Sequence, residues 1–104
     1  MKIFKYPLRI DARQELDLPV GARVLTVQLQ DGKPCLWALV DEDAEVETIT
    51  IEMIGTGHPV YDPGKYLGTV QMEQGKLVLH VFAALGEIVQ TELDMGTTVG
   101  GRDE

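Results

Sequence analysis

Apolar and polar positions alternate with a period of two along most of the chain, and no window of a dozen residues carries a helical stripe. The pattern predicts a β-dominated protein. Residues 2–10 read as a first strand in which Pro7 marks an edge or a bulge, because proline cannot donate to a ladder. Residues 14–18 place Leu16 and Leu18 on one face. The turn Pro19-Val20-Gly21 leads into residues 22–30, where Leu25, Val27 and Leu29 are expected to share a face and Thr26, Gln28 and Gln30 the other. Asp31-Gly32 then separates this run from Pro34–Val40, and an Asp-Gly pair between two strands is a strong hairpin signal. The second arm is apolar from Cys35 to Val40, which predicts a central strand covered on both faces with Trp37 anchoring the core.

In residues 46–54, Ile49, Ile51 and Met53 alternate with Thr48, Thr50 and Glu52, the pattern of a strand with its second face in water. Residues 66–72 and 76–83, joined by Glu73-Gln74-Gly75, predict a second hairpin. Here Leu77, Leu79 and Val81 fall on one face and Val78, His80 and Phe82 on the other. The expected fold is all-β or β-dominated, a small single-domain sandwich or partly open barrel of about six to eight strands. Residues 1–85 form the globular part. Residues 86–104 form an acidic, Gly-rich extension, partly disordered, in which 86–93 could add a strand or reach a neighbouring subunit.

With 44% apolar and 25% charged residues the composition is ordinary for a globular domain, but the net charge of −8 is unevenly placed. Residues 1–40 carry six basic and four acidic groups, whereas Asp41, Glu42, Asp43, Glu45, Glu47 and Glu52 stand together without a cation, and the last nineteen residues add −4. Direct nucleic-acid binding by these acidic regions is disfavoured, and binding to a basic protein is allowed. Cys35 is the single cysteine, so no intrachain disulfide can form and a reducing cytoplasm fits. The N-terminus has no apolar signal core, and no run approaches membrane-spanning length, so a soluble cytoplasmic protein is expected.

Residues 54–71, IGTGHPVYDPGKYLGTVQ, hold the densest chemistry. Gly55, Gly57, Gly64 and Gly68 permit close approaches, while Thr56, His58, Tyr61 and Tyr66 supply hydrogen-bonding groups and ring faces. Backbone amides around Gly55–His58 could form an anion nest; the plainer reading is a turn that ends a strand. The chain has no serine, and neither His58 nor His80 lies beside an obvious nucleophile. Two histidines and one cysteine match no zinc pattern, the acidic run lacks the glycine and closing glutamate of a calcium loop, and no metal or cofactor is expected. Cys35 opens an apolar strand, where a buried, inert thiol is the favoured reading. His80 alternates with Val78 and Phe82, favouring a hydrogen-bonded core histidine over a ligand contact, and Tyr66 is read equally as core packing or ligand contact.

The blocks KYPL, LPVGARVLTVQLQDGKPCLWALVD, GTGHPV, YLGTVQ and LVLHVF, in that order over residues 2–83, resemble a family of small phage and prophage proteins grouped as a domain of unknown function. The resemblance implies a β-rich phage accessory protein in an infected bacterial host, a setting that favours countering host defence, and it carries no catalytic residues. The leading expectation is a non-enzymatic homo-oligomer that sequesters a nucleotide-derived immune signal. Gly55, Thr56, Gly57 and His58 would hold phosphates, Trp37, Tyr61 or Tyr66 would stack on a base, and Gln71 would read its edge. The alternative is an acidic inhibitor of a host defence nuclease, using Asp41, Glu42, Asp43, Glu45 and Glu47. A small hydrolase using His58 or His80 with a carboxylate ranks third.

Overall fold

Asp31 and Gly32 both adopt left-handed backbone conformations, φ 52° and 77°, the geometry of a two-residue hairpin turn. They join β3 (Arg23–Gln30) to β4 (Lys33–Val40), as the Asp-Gly pair predicts. The structure is a computed structural model that describes residues 1–84. The expected strand at 86–93 and the frayed tail lie outside the described residues.

β4 also pairs antiparallel with β1 (Lys2–Pro7), giving a three-stranded sheet in the order β1-β4-β3. A four-stranded antiparallel sheet has the order β2-β5-β7-β6, formed by β2 (Arg13–Pro19), β5 (Val46–Gly55), β6 (Lys65–Met72) and β7 (Leu77–Ala83). The two sheets enclose one apolar core. Val27, Leu36, Ala38 and Val40 come from the first, and Leu18, Ile49, Ile51, Met53, Val70, Met72, Leu79, Val81 and Ala83 from the second. The sandwich is most closely packed where β6 crosses β3, because Gly68 has no side chain there; a Cβ would stand 3.2 Å from Val27 Cβ and 3.3 Å from its carbonyl oxygen.

Pro7 closes β1, and Leu8 continues toward β4 through its amide, which donates to the Pro34 carbonyl at 2.9 Å. Gln14 is buried on the inner side of β2, and both ends of its amide are satisfied. Its Oε1 accepts from the Arg9 amide at 3.0 Å and its Nε2 donates to the Arg9 carbonyl at 2.7 Å, pinning the connection from β1. Between β6 and β7, Glu73, Gln74 and Gly75 all have positive φ and form a single 3₁₀ turn closed by the Lys76 amide on the Glu73 carbonyl at 3.1 Å.

Three expectations are corrected. Leu25 does not share a face with Val27 and Leu29, because the β3–β4 register shifts between Val24 and Thr26; the bulge turns Val24 inward and leaves Leu25 46% exposed. β4 is central, yet only one face is fully covered. Leu36, Ala38 and Val40 point into the core, while Trp37 and Leu39 are half-buried on the outer face, so Trp37 is no core anchor. The second face of β5 does not wholly meet water either, since Thr50 is buried at 2% exposure.

Tyr6 lies opposite Leu36 and packs against the core, and this burial raises its phenol above the ordinary value of 10.0. The folded chain therefore holds the Tyr6 proton more tightly than the unfolded chain does. Stability present below pH 10 should fall as pH rises through that value toward the folded-state pKa. Urea midpoints measured across this alkaline window should fall less steeply for Tyr6→Phe than for the native chain; equal slopes would remove Tyr6 from the account.

Candidate functional site

A register irregularity brings the polar groups of the four-stranded sheet together. In a regular strand, residues three apart point to opposite faces, so Tyr66 and Thr69 would diverge. The β6–β7 register instead shifts between Tyr66 and Gly68, so that Tyr66 lies opposite Phe82 and Thr69 opposite His80, all on the outer face. The extra residue, Leu67, leans toward the core.

This placement creates a continuous hydrogen-bonded chain across three elements. The Tyr66 hydroxyl shares a 2.5 Å hydrogen bond with Thr69 Oγ1, which in turn lies 3.0 Å from His80 Nδ1. His80 Nε2 is 2.8 Å from Thr56 Oγ1, just beyond the end of β5. Hydroxyls donate or accept as required, so the ring is held in place with either nitrogen carrying the proton. The Tyr66 ring meets Phe82 edge-on, with centroids 5.6 Å apart, yet remains 56% exposed. The core-packing alternative for Tyr66 therefore gives way to a surface aromatic held by its own hydroxyl. His80 is hydrogen-bonded as its alternation predicts, but it stands half-buried on the outer face and is not the core histidine expected.

Gly55, Thr56, Gly57 and His58 form a tight turn in which the His58 amide donates to the Gly55 carbonyl at 3.2 Å and Gly57 takes φ 90°. That amide is committed to the turn, the plainer of the two readings of these residues, and is withdrawn as a donor from an anion nest. The His58 ring folds back over Gly55; a Cβ on Gly55 would stand 3.0 Å from His58 Cδ2. Tyr61, at 85% exposure, projects from the loop that follows. Gln71 shares the outer face at the far end of β6, opposite Val78, and its Oε1 leans toward Gly75. Trp37 does not join this group, because it lies on the outer face of the other sheet. The member that sequence reasoning missed is Thr69, whose signal was its place opposite His80 across a hairpin containing a bulge.

The acidic link is an ordered corner. Asp41 Oδ1 accepts from the Asp43 amide at 3.0 Å, Glu42 pairs with Lys2 at 3.1 Å, and the Glu45 carbonyl accepts from the Val20 amide at 2.7 Å. Glu47 is half-buried opposite Leu18. On β2, Glu15 and Asp17 lie on the outer face, where Thr48 Oγ1 donates to Asp17 Oδ1 at 2.6 Å. Among the described residues no group of three or more His, Cys, Asp or Glu side chains could hold a metal ion, and no helix is long and apolar enough to cross a membrane.

Comparison with curated proteins and with solved structures returns no match. A family model does match, over residues 1–91, and it spans both sheets and the seven strands of the described residues. The chain belongs to the family described as a domain of unknown function, DUF7352.

Proposed function

We propose that the protein is a non-enzymatic binding module of phage origin that sequesters a small, ring-containing polar molecule of the nucleotide class, and so counters a host immune signal. The supporting observation is the Tyr66–Thr69–His80–Thr56 chain. It sets hydroxyl and imidazole groups in fixed positions beside the exposed Tyr66 ring, where they can read the edge of a ligand that stacks on it. Tyr61 offers a second, exposed ring face. Both nitrogens of His80 already have hydroxyl partners, an arrangement suited to orientation more than to proton abstraction. In this reading the protein acts as a homo-oligomer that shuts the ligand between copies.

Native mass spectrometry of the intact protein, with cyclic and ADP-ribose-type nucleotides added and the bound species recovered after denaturation, tests the proposal. An oligomer releasing unchanged ligand is expected. Tyr66→Ala should weaken binding roughly 10-fold or more, the loss typical of a stacking partner. Chemically altered ligand, a monomer in light scattering, or binding indifferent to Tyr66 and His80 would overturn it.

A second reading rests on the acidic side. β2 is an edge strand whose Glu15 and Asp17, with the carboxylates of the 41–47 corner, would meet a basic groove on a host nuclease, although Arg13 and Lys2 neutralise Glu52 and Glu42 nearby. Such a complex should lose affinity steeply as salt rises, whereas a ligand closed over Tyr66 should not.

A further inference from the structure

The outer face of the three-stranded sheet carries a charge pattern opposite to that of the chain as a whole. Along β4, the positions alternating with the buried Leu36, Ala38 and Val40 are Lys33, Cys35, Trp37 and Leu39. The ladder sets Lys5 and Thr26 on either side of Trp37, Gln28 beside Cys35, Gln30 beside Lys33, and Arg23 with Ile3 beside Leu39. Lys5, Arg23 and Lys33 are therefore the charged groups on these strand positions, and no carboxylate shares them. Among the described residues none of these three is in an ion pair, whereas Arg13, the cation on the other sheet's outer face, is tied to Glu52 at 2.7 Å. Among the described residues, the clustered carboxylates that argue against nucleic-acid contact sit on the β4–β5 corner and on the other sheet.

Two further features show that this face is organised. Lys5 Nζ donates to Gln30 Oε1 at 2.6 Å, so the two outer strands are bridged over β4. The bridge passes above Cys35, which is 4% exposed although it belongs to the outer set, and leaves Trp37 half-buried next to it. Beside the bridge, Gln28 Nε2 donates to Thr26 Oγ1 at 3.2 Å, leaving the Gln28 carbonyl oxygen open to a partner. A half-exposed indole on a strand face, flanked by cations and side-chain amides, is the combination by which strand platforms hold unpaired bases and their phosphates.

We infer that the outer face of β1-β4-β3 is a binding site for single-stranded nucleic acid. A base stacks on Trp37, Lys5, Arg23 and Lys33 take the phosphates, and Gln28 and Gln30 meet base edges. From Lys33 to Leu39 the strand rises roughly 20 Å, enough for a short run of nucleotides. A strand approaching from this side meets the uncompensated cations first, which offsets the repulsion of a net charge of −8.

Trp37 is the only tryptophan, so its fluorescence reports on this face alone. Titration of the full chain with short oligo-dT and oligo-U strands at low salt should quench Trp37 emission and raise the anisotropy of a labelled strand. With three phosphate contacts the logarithmic salt slope should be about −2, a loss of roughly 15-fold between about 50 and about 200 mM salt. The double variant Arg23→Glu/Lys33→Glu should lose at least about 10-fold in affinity while melting at the native temperature. Trp37→Phe should weaken binding and abolish the fluorescence signal, and Tyr66→Ala should leave both unchanged. Absence of quenching at any strand concentration, binding indifferent to Arg23 and Lys33, or equal competition by polyglutamate would overturn the assignment, the last in favour of an acidic protein partner.

Discussion

Leu36→Ala is expected to lower the unfolding free energy by about 3 kcal/mol, out of a total that for a chain of this length is roughly 5–15 kcal/mol. Leu36 is completely buried at the middle of β4, with Tyr6 opposite it on one side and Val27 on the other. Truncation leaves a cavity walled by strands that are hydrogen-bonded on both flanks and can collapse only partly. In thermal melts the midpoint should drop by roughly 10–20 °C. Trp37→Phe is the matched control, because its neighbour on the same strand faces outward and should cost no more than about 1 kcal/mol. If the tryptophan variant proves the less stable of the two, the assignment of faces on β4 is wrong.

Gly64→Ala should be more damaging still than its size suggests. A Cβ at this position would stand 1.7 Å from the Ala83 carbonyl oxygen and 2.6 Å from its carbon, both backbone atoms of a buried residue paired with Ile51 on one side and Lys65 on the other. No rotamer change relieves that overlap, so either β6 separates from β7 at its start or the sheet shifts. A loss of about 3 kcal/mol or more is expected, with faster amide exchange at Lys65 and Ala83. Gly57→Ala isolates a different penalty. Nothing stands within 4 Å of its Cβ position, but φ is 90°, so the cost should be the modest one of a left-handed alanine, about 1–2 kcal/mol. Comparable losses for both glycines would contradict the overlap at Gly64.

The turn chemistry was legible without coordinates. Asp31-Gly32 and the Gly-containing link Glu73-Gln74-Gly75 mark hairpins, and both appear as hairpin turns with left-handed residues. So was the inward set Ile49, Ile51 and Met53, because strict alternation leaves one choice of face, whereas β7 is apolar on both faces and its alternation leaves the choice open. Trp37 was misplaced for the converse reason. A run that is apolar at every position from Cys35 to Val40 contains no alternation, and residue size then suggests the core where register dictates the surface. The polar chain at His80 was half visible: Thr56, Tyr66 and His80 stood out as chemistry, but their meeting depends on Thr69 and on a one-residue bulge that reverses the facing of everything before it. Leu25 was lost to a bulge in the same way.

The pairing of distant strands also sets the order in which the molecule can assemble. β3–β4 and β6–β7 join neighbours through short turns, but Lys2 must find Val40 and Arg13 must find Glu52 before either sheet is complete. Those closures cost chain entropy before they bury anything, which places this chain among the slower-folding small domains, on a scale of milliseconds to seconds. The two hairpins should therefore gain amide protection first in pulse-labelled refolding, with β1 and β2 added last. Until they arrive, one hydrogen-bonding edge of β4 and one of β5 stand unpaired, so refolding yield should fall as protein concentration rises.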